Sequence, residues 1–496
     1  MNETSIVWFR NDLRLNDHEP LTRAIESKTQ RLLCVYCVDP RQFGTTRLRG
    51  FPRTGVHRAR FLIESLADLR QNLRRLGNDL AIRIGRPEEQ LPELAEKLGA
   101  SGIYFYEEAT DEELQVEKRL TQRLKTMGVS VNAYWGSTLF HRDDLPFEVR
   151  NLPQVFTQFR IRCEKDAKVR PPLSAPKQFP PGPEGLDFGE LPTPAEPRLT
   201  EPSDDPRAVL RFQGGETAAL DRIEAYIWRN DRLRIYKQTR NGLLGADYSS
   251  KFSPWLSLGC VSPRTIAAEV ARYENARVRN DSTYWLVFEL MWRDYFRFLA
   301  IQAGTSLFSQ SGPARVRKSW STDSDALNRW IEGRTGIPFV DANMRELKAT
   351  GFMSNRGRQN VASFLAKDLE VDWRFGAEWF ESQLIDDDVC SNWGNWAYVA
   401  GVGTDPRQDR RFNVIKQAYD YDTQGEYVRT WLPELASLSG SSVHEPWKVR
   451  QGASLPLDFG PGFVPDYPPP MIDMERTAST TRSGSKSVPN SRKRMR

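Results

Sequence analysis

Apolar and polar positions follow two periods along the first ~135 residues. Short, β-rich apolar runs stand at Ser5–Phe9, Leu32–Val38, Leu80–Ile84, Gly102–Tyr106 and Val129–Trp135. Between them lie amphipathic stretches of helical period at His57–Leu76, Glu88–Leu98 and Asp111–Met127. Strand and helix signals in alternation predict a parallel sheet covered by helices, a Rossmann-like α/β domain. The first strand runs straight into Phe9-Arg10-Asn11-Asp12-Leu13-Arg14, without GxGxxG. A dinucleotide has no seat for its pyrophosphate on such a turn, so a dehydrogenase is set aside. Residues 171–206 hold eleven prolines and predict a long extended connector. From Arg207 to about residue 435 the helical period dominates, in segments such as Gly215–Asn230, Pro263–Tyr273, Thr283–Ala300, Asp323–Gly333 and Ala342–Thr350. These predict a second, all-α domain, with no repeat of fixed period. The expected organisation is an α/β domain over 1–135, a linker over 136–206, a helical domain over 207–447, and a Pro/Gly-rich segment with a tail over 448–496.

Composition narrows the class. With 39% hydrophobic residues in 496, the chain can bury a sizeable core, which excludes wholesale disorder. Its longest strongly apolar stretch, Leu32–Val38, is far short of the roughly 20 residues a membrane span needs. The chain enters a strand pattern at once, with no basic or apolar leader, so a cytoplasmic protein is expected. Five cysteines are too few for a disulfide framework. Cys34 and Cys37 have CxxC spacing, but on a strand they face opposite sides, which predicts two small buried side chains and no shared metal. The four histidines, His18, His57, His141 and His444, are far apart, so a zinc hydrolase is unsupported and no metal site is expected. The net charge of +5 is misleading: residues 477–496 carry six Lys and Arg and no acid, which leaves the body at −1. Affinity for nucleic acid must then come from a local patch, and the tail reads as disordered.

Eight tryptophans fall between residues 285 and 396. Most are expected in the core. Indoles also relay electrons when close together, and they stack on unpaired bases. A resemblance separates these readings. Val7-Trp8-Phe9-Arg10-Asn11-Asp12-Leu13-Arg14 resembles the opening signature of the photolyase/cryptochrome family. So do Tyr248-Ser249-Ser250-Lys251-Phe252-Ser253-Pro254-Trp255, Glu289-Leu290-Met291-Trp292-Arg293-Asp294, Asn355-Arg356-Gly357-Arg358-Gln359-Asn360 and the stretch from Asp386-Asp387-Asp388 to Asn395-Trp396. The motifs stand in the family's order from residue 5 to about 447, and their detail is most similar to the DASH branch.

The resemblance implies an α/β domain joined by a long connector to a helical domain that holds FAD. Tyr236 and Ser249, Ser250, Lys251, Phe252 and Ser253 would hold its phosphates and ribityl chain. Hydroxyls and backbone N–H groups at a helix start suit an anion. Arg358 and Asp386 would form an ion pair beside the isoalloxazine, Asp388 would accept from its edge, and Asn392 would face N5. Trp396, Trp373 and Trp320 match the family's electron-transfer chain. Glu289, Trp292, Asn355, Arg356, Gln359 and Tyr398 match its substrate pocket, with Glu289 on the Watson–Crick edge of a flipped pyrimidine and Trp292 stacked on it. Gln359 and Tyr398 stand where duplex-repair enzymes have Met and Trp, which makes the pocket more polar and favours a single strand. No histidine lies between His141 and His444, so the (6-4) photolyase chemistry lacks its acid. Glu108 matches the glutamate that contacts an antenna folate, 5,10-methenyltetrahydrofolate.

The expected activity is light-driven repair of cyclobutane pyrimidine dimers in single-stranded DNA, by a monomer that needs no membrane. Two alternatives share these residues: a blue-light photoreceptor or regulator on the same scaffold, and a single-strand binding module that needs no light.

Overall fold

The computed structural model describes residues 3–193, 202–404, 411–451 and 467–473. The five apolar runs form one sheet, β1 (Thr4–Phe9), β2 (Arg31–Val38), β3 (Leu80–Ile84), β4 (Ala100–Tyr106) and β5 (Ser130–Tyr134). All neighbours pair parallel in the order β3-β2-β1-β4-β5. Both faces of the inner strands are covered, so these read as continuous apolar runs, whereas the edge strand β5 is partly exposed. Ile6, Trp8, Leu33 and Val35 pack under α3 (Pro87–Leu98) and α4 (Asp111–Thr126). Val7, Phe9, Leu32 and Tyr36 pack under α1 (Glu19–Glu26) and α2 (Val56–Arg75), in a core that continues into the helical half. Cys34 and Cys37 divide between the two faces, buried and free.

Two helices escaped the sequence reading. The first, α1, is capped by His18, whose Nδ1 accepts from Leu21 N at 3.1 Å while Nε2 meets Asp12 at 2.8 Å. An imidazole cap lacks the usual Ser, Thr, Asp or Asn signal. The second, α5 (Phe156–Asp166), lies inside the expected linker. The described part of the proline-rich connector is non-helical, as its composition predicts, and it is pinned to the sheet. Leu32 N donates to Pro181 O at 3.1 Å and Ile82 N to Phe188 O at 2.8 Å.

The helical half contains α6 (Glu216–Ile223), α7 (Tyr236–Thr239), α8 (Ser253–Ser257), α9 (Pro263–Ala276) and α10 (Asp281–Ala303). It continues with α11 (Ser324–Ile331), α12 (Pro338–Thr350), α13 (Asn355–Ser363), α14 (Trp373–Gln383) and α15 (Val389–Ala400). The expected helix Gly215–Asn230 is α6 followed by a wider π turn over Glu224–Arg229. The longest, α10, starts in a capping box of Asn280 and Thr283. Of the Pro/Gly-rich segment and tail expected over 448–496, residues 452–466 and 474–496 lie outside the described residues. Tyr467 is buried, its hydroxyl donates to Asp341, and Met471 N donates to Thr335 O at 2.9 Å. Among the described residues no helix is long and apolar enough to cross a membrane, and no group of three metal-ligating side chains converges.

The two halves are stitched by a buried carboxylate. Asp17 accepts from Arg264 at 2.6 and 3.0 Å, from Ser262 Oγ at 2.5 Å and from Leu173 N at 2.9 Å. It thereby ties the α/β half, the connector and α9 together. Asp17→Ala leaves the Arg264 guanidinium buried without its partner, and a loss of about 3–5 kcal/mol is expected in denaturant unfolding. A change within about 0.5 kcal/mol would show that Arg264 finds other partners.

Candidate active site

Helices α13 and α15 face one another above α14. Ser354 caps α13, its Oγ accepting from Gly357 N at 3.0 Å, and Asp388 caps α15, its Oδ1 accepting from Ser391 N at 2.8 Å. Between them is a cavity whose lining includes Arg358, Asp386, Asp388, Asn392 and Trp396 from the expected flavin side and Asn355 and Gln359 from the expected substrate side. One cavity thus brings residues of the expected flavin group together with two of the six expected substrate residues, while Glu289, Trp292, Arg356 and Tyr398 do not line it.

The charges around it are paired. Arg358 Nη2 lies 3.0 and 2.8 Å from the two oxygens of Asp386. Asp388 Oδ2 accepts from Arg297 at 2.6 Å, with Arg293 at 3.7 Å. Burial works against its charge, but the two guanidiniums and the backbone N–H of Ser391 outweigh it and hold the carboxyl down at about 2. Asp388 is therefore a helix cap and a charge anchor as well as part of the cavity wall. Its stabilisation is present above the unfolded value near 3.8 and is lost as pH falls through about 2. Asp388→Asn is expected to cost about 2 kcal/mol near neutrality and to flatten acid unfolding below about pH 4, read by circular dichroism.

Three buried polar atoms on this wall have no partner among the described residues: Asn392 Oδ1, Asp387 Oδ1 and Trp396 Nε1. The Asn392 amide spends its Nδ2 on Ala377 O at 3.0 Å. Each orphan costs about 1–3 kcal/mol unless a ligand satisfies it. A ligand with polar edges, such as a flavin ring, would satisfy these atoms.

Trp396 and Trp373 are fully buried, while Trp320 is half-buried with Lys318 Nζ 4.4 Å above its ring. Trp396 packs on Phe380 at 5.1 Å and Trp330 at 6.1 Å, and Trp373 packs on Trp393 at 5.7 Å. Tyr236 is buried on α7, and the loop from Ser249 enters α8 at Ser253. The Ser249 and Ser250 carbonyls accept from Arg222. Lys251 departs from expectation. Its φ is +56°, and its ammonium turns inward, 3.3 Å from Gly245 O and 3.2 Å from the Tyr248 ring centroid. Burial lowers it to about 6. The Lys251 side chain is thus turned to Gly245 O and the Tyr248 ring.

Among the residues expected on the substrate side, Glu289 Oε1 accepts from Arg240 at 2.8 Å and from Trp285 Nε1 at 3.0 Å. Burial raises the Glu289 pKa and Arg240 opposes it. Trp292, one turn along α10, stacks on Phe156 at 3.7 Å and 11° and meets the edge of Tyr398 at 5.9 Å. Arg356 bridges Gln359, Asn241 and Gln417 at 3.0–3.1 Å. Sequence reasoning missed Arg240, Trp285 and Phe156. Only Trp285 left a signal, four residues before Glu289 on the same helix face.

Glu108 is also placed differently from expectation. Its Oε1 accepts from Asn11 at 2.9 Å and its Oε2 from Arg297 at 3.3 Å. It lines neither of the two large cavities beside the sheet. One, of about 590 Å³, lies outside the carboxyl ends of β1 and β2. The other, of about 520 Å³, lies between the halves, where Leu48, Glu113, Phe308, Glu378 and Trp393 meet.

Comparison with known proteins identifies the family and the fold. Residues 5–180 match the family model described as DNA photolyase, and residues 285–487 match the FAD binding domain of DNA photolyase. The chain is 54% identical over 484 residues to a Cryptochrome DASH of Gloeobacter violaceus, which covers 97% of this chain and 95% of that one. It is 50% identical over 461 residues to an Arabidopsis thaliana protein named Cryptochrome DASH, chloroplastic/mitochondrial, covering 92% of this chain and 80% of that one. The crystal structure of a Synechocystis cryptochrome superposes with a TM-score of 0.90 at 50% identity, over 97% of this chain and 99% of that one.

Proposed function

The chain belongs to the Cryptochrome DASH group of the DNA photolyase family, and from that premise we propose that it is a light-driven lyase acting on cyclobutane pyrimidine dimers, preferentially in single-stranded DNA. The observation that carries this reading is the shared cavity, lined by Asn355 and Gln359 as well as by Arg358, Asn392 and Trp396. Bound FAD, reduced and excited by blue or near-UV light, supplies the electron that opens the dimer ring.

The chain's own residues supply the rest. Arg358 brings positive charge to a cofactor that becomes anionic, and its ion pair with Asp386 fixes its position. Asn392 offers an amide that hydrogen-bonds without titrating. Glu289, held at one oxygen by Arg240 and Trp285, keeps Oε2 for the Watson–Crick edge of an extruded pyrimidine. Trp292 and Tyr398, edge to face, offer less stacking area than two indoles, which favours substrates that are cheap to extrude. An antenna folate would occupy the interdomain cavity, whose aromatic and carboxylate lining suits a pterin.

The test is illumination of the FAD-bound protein with dimer-containing oligo(dT), single-stranded and annealed. Restored thymines with turnover, faster on the single strand, are expected. Absence of restoration from either substrate would overturn the reading, and equal rates would remove the strand preference.

A further inference from the structure

The acidic triplet at the entry to α15 divides its labour unequally. Asp386 takes Arg358, and Asp388 takes Arg297 and caps the helix. Asp387, between them, lines the same cavity, and its side chain is only 6% exposed. It spends one oxygen: Oδ2 lies 3.0 Å from Arg58 Nη1, on α2 of the α/β half. Its Oδ1 is buried without a partner. Glu381 on α14 and its two neighbours in the triplet add negative charge, and Arg58 is the cation that opposes it. That guanidinium is shared, since Arg58 also donates to Arg53 O and to Leu384 O.

Ionised carboxylates crowded into a dry site do not all stay charged; the one with the weakest counter-charge takes the proton. Burial and the neighbouring acids push Asp387 up to about 7, whereas Asp388 beside it is held down at about 2. Asn392, the other group with a free buried oxygen on this wall, is an amide and cannot answer a change of charge by titrating.

We propose that Asp387 is the proton counterweight of this cavity: its free Oδ1 binds a proton when negative charge enters beside it and releases that proton when the charge leaves. The inference rests on the cavity holding FAD. Where Asp387 is ionised before reduction, the first electron delivered there, through Trp396 in light or by an external reductant such as dithionite in the dark, is matched by one O–H bond formed at Asp387 from a solvent proton, the single proton its carboxylate takes up. Loss of the electron breaks that bond and returns the proton to solvent. No other bond changes.

The test is the midpoint potential of the FAD-bound protein as a function of pH, by spectroelectrochemistry. At about pH 6 Asp387 is protonated in both redox states, so wild type and D387N should agree. At about pH 9 the wild-type carboxylate opposes reduction, so D387N should favour the reduced form roughly tenfold more, 59 mV for one electron. R58Q removes the opposing cation and should move the wild-type break to higher pH, which keeps the proposal testable if D387N does not fold. Superimposable pH profiles of wild type and D387N, or an R58Q break that does not move, would overturn the proposal. A wild-type protein that takes up no FAD would fail the flavin reading itself, a separate result.

Discussion

Glu289→Ala is expected to lower light-driven repair of single-stranded dimers by roughly 100-fold or more while leaving FAD content unchanged. Glu289 stands on α10, among residues that do not line the cavity proposed for the flavin, so its loss leaves the walls of that cavity intact. Its own surroundings change sharply. Arg240 and Trp285 Nε1 both donate to Oε1 and lose their acceptor together. The bases of an extruded dimer lose the carboxylate that accepts from their N–H edges, and a site built to hydrogen-bond a substrate discriminates steeply when one member is absent. Glu289→Gln separates shape from charge. It preserves an acceptor oxygen but weakens the hold of Arg240, so an intermediate rate is expected. The measurement is thymine recovered per photon from dimer-containing oligo(dT), beside the flavin absorbance of the same sample. Full repair by the alanine variant would remove Glu289 from the substrate pocket.

Much of this organisation was legible because it is local. The inner strands were readable because both their faces are buried, so β1 and β2 begin only one residue earlier than predicted, and β3 matches its predicted bounds. The amphipathic stretch His57–Leu76 falls within one residue of α2 at each end. Arg358, Asp386, Asn392 and Trp396 were readable as a set because they sit in two short motifs, which become α13 and the α14–α15 corner, and those fold against each other.

What escaped depends on distant partners. Phe156 covers Trp292 from a helix within the connector, and Arg240 reaches Glu289 from the far side of a loop and α9. Glu108 is claimed by Arg297, 189 residues away, and no spacing rule encodes that pair. Lys251 shows the same effect at the scale of one residue. Its place in the motif suggested an anion contact, but a left-handed φ and the face of Tyr248 draw the ammonium inward. Asp387 was visible within the acidic triplet, yet its distinct role appears only once Arg58 and the orphaned Oδ1 are seen.

Trp396→Phe is expected to slow light-driven reduction of bound FAD, in the presence of an external thiol, by roughly tenfold or more, a barrier change of about 1.4 kcal/mol. Among the described residues, Trp396 is the one readily oxidised ring lining the cavity, and its Nε1 is buried there without a partner. Phenylalanine preserves most of the packing against Phe380 and Trp330 but gives up an electron far less readily than indole. The site offers no slack for a larger change: a Cβ on Gly376 would come within 2.2 Å of Trp396 Cη2, so the indole is seated against backbone. Loss of the second ring opens a small void, and a destabilisation of about 1–3 kcal/mol accompanies the substitution. Repair and photoreduction separate in this variant. Chemical reduction by dithionite bypasses the tryptophans, so W396F reduced in the dark and then illuminated with substrate should retain most of its repair. Photoreduction at the wild-type rate would remove Trp396 from the electron path. Slow repair even after chemical reduction would instead mean that the indole shapes the cavity rather than feeding it electrons.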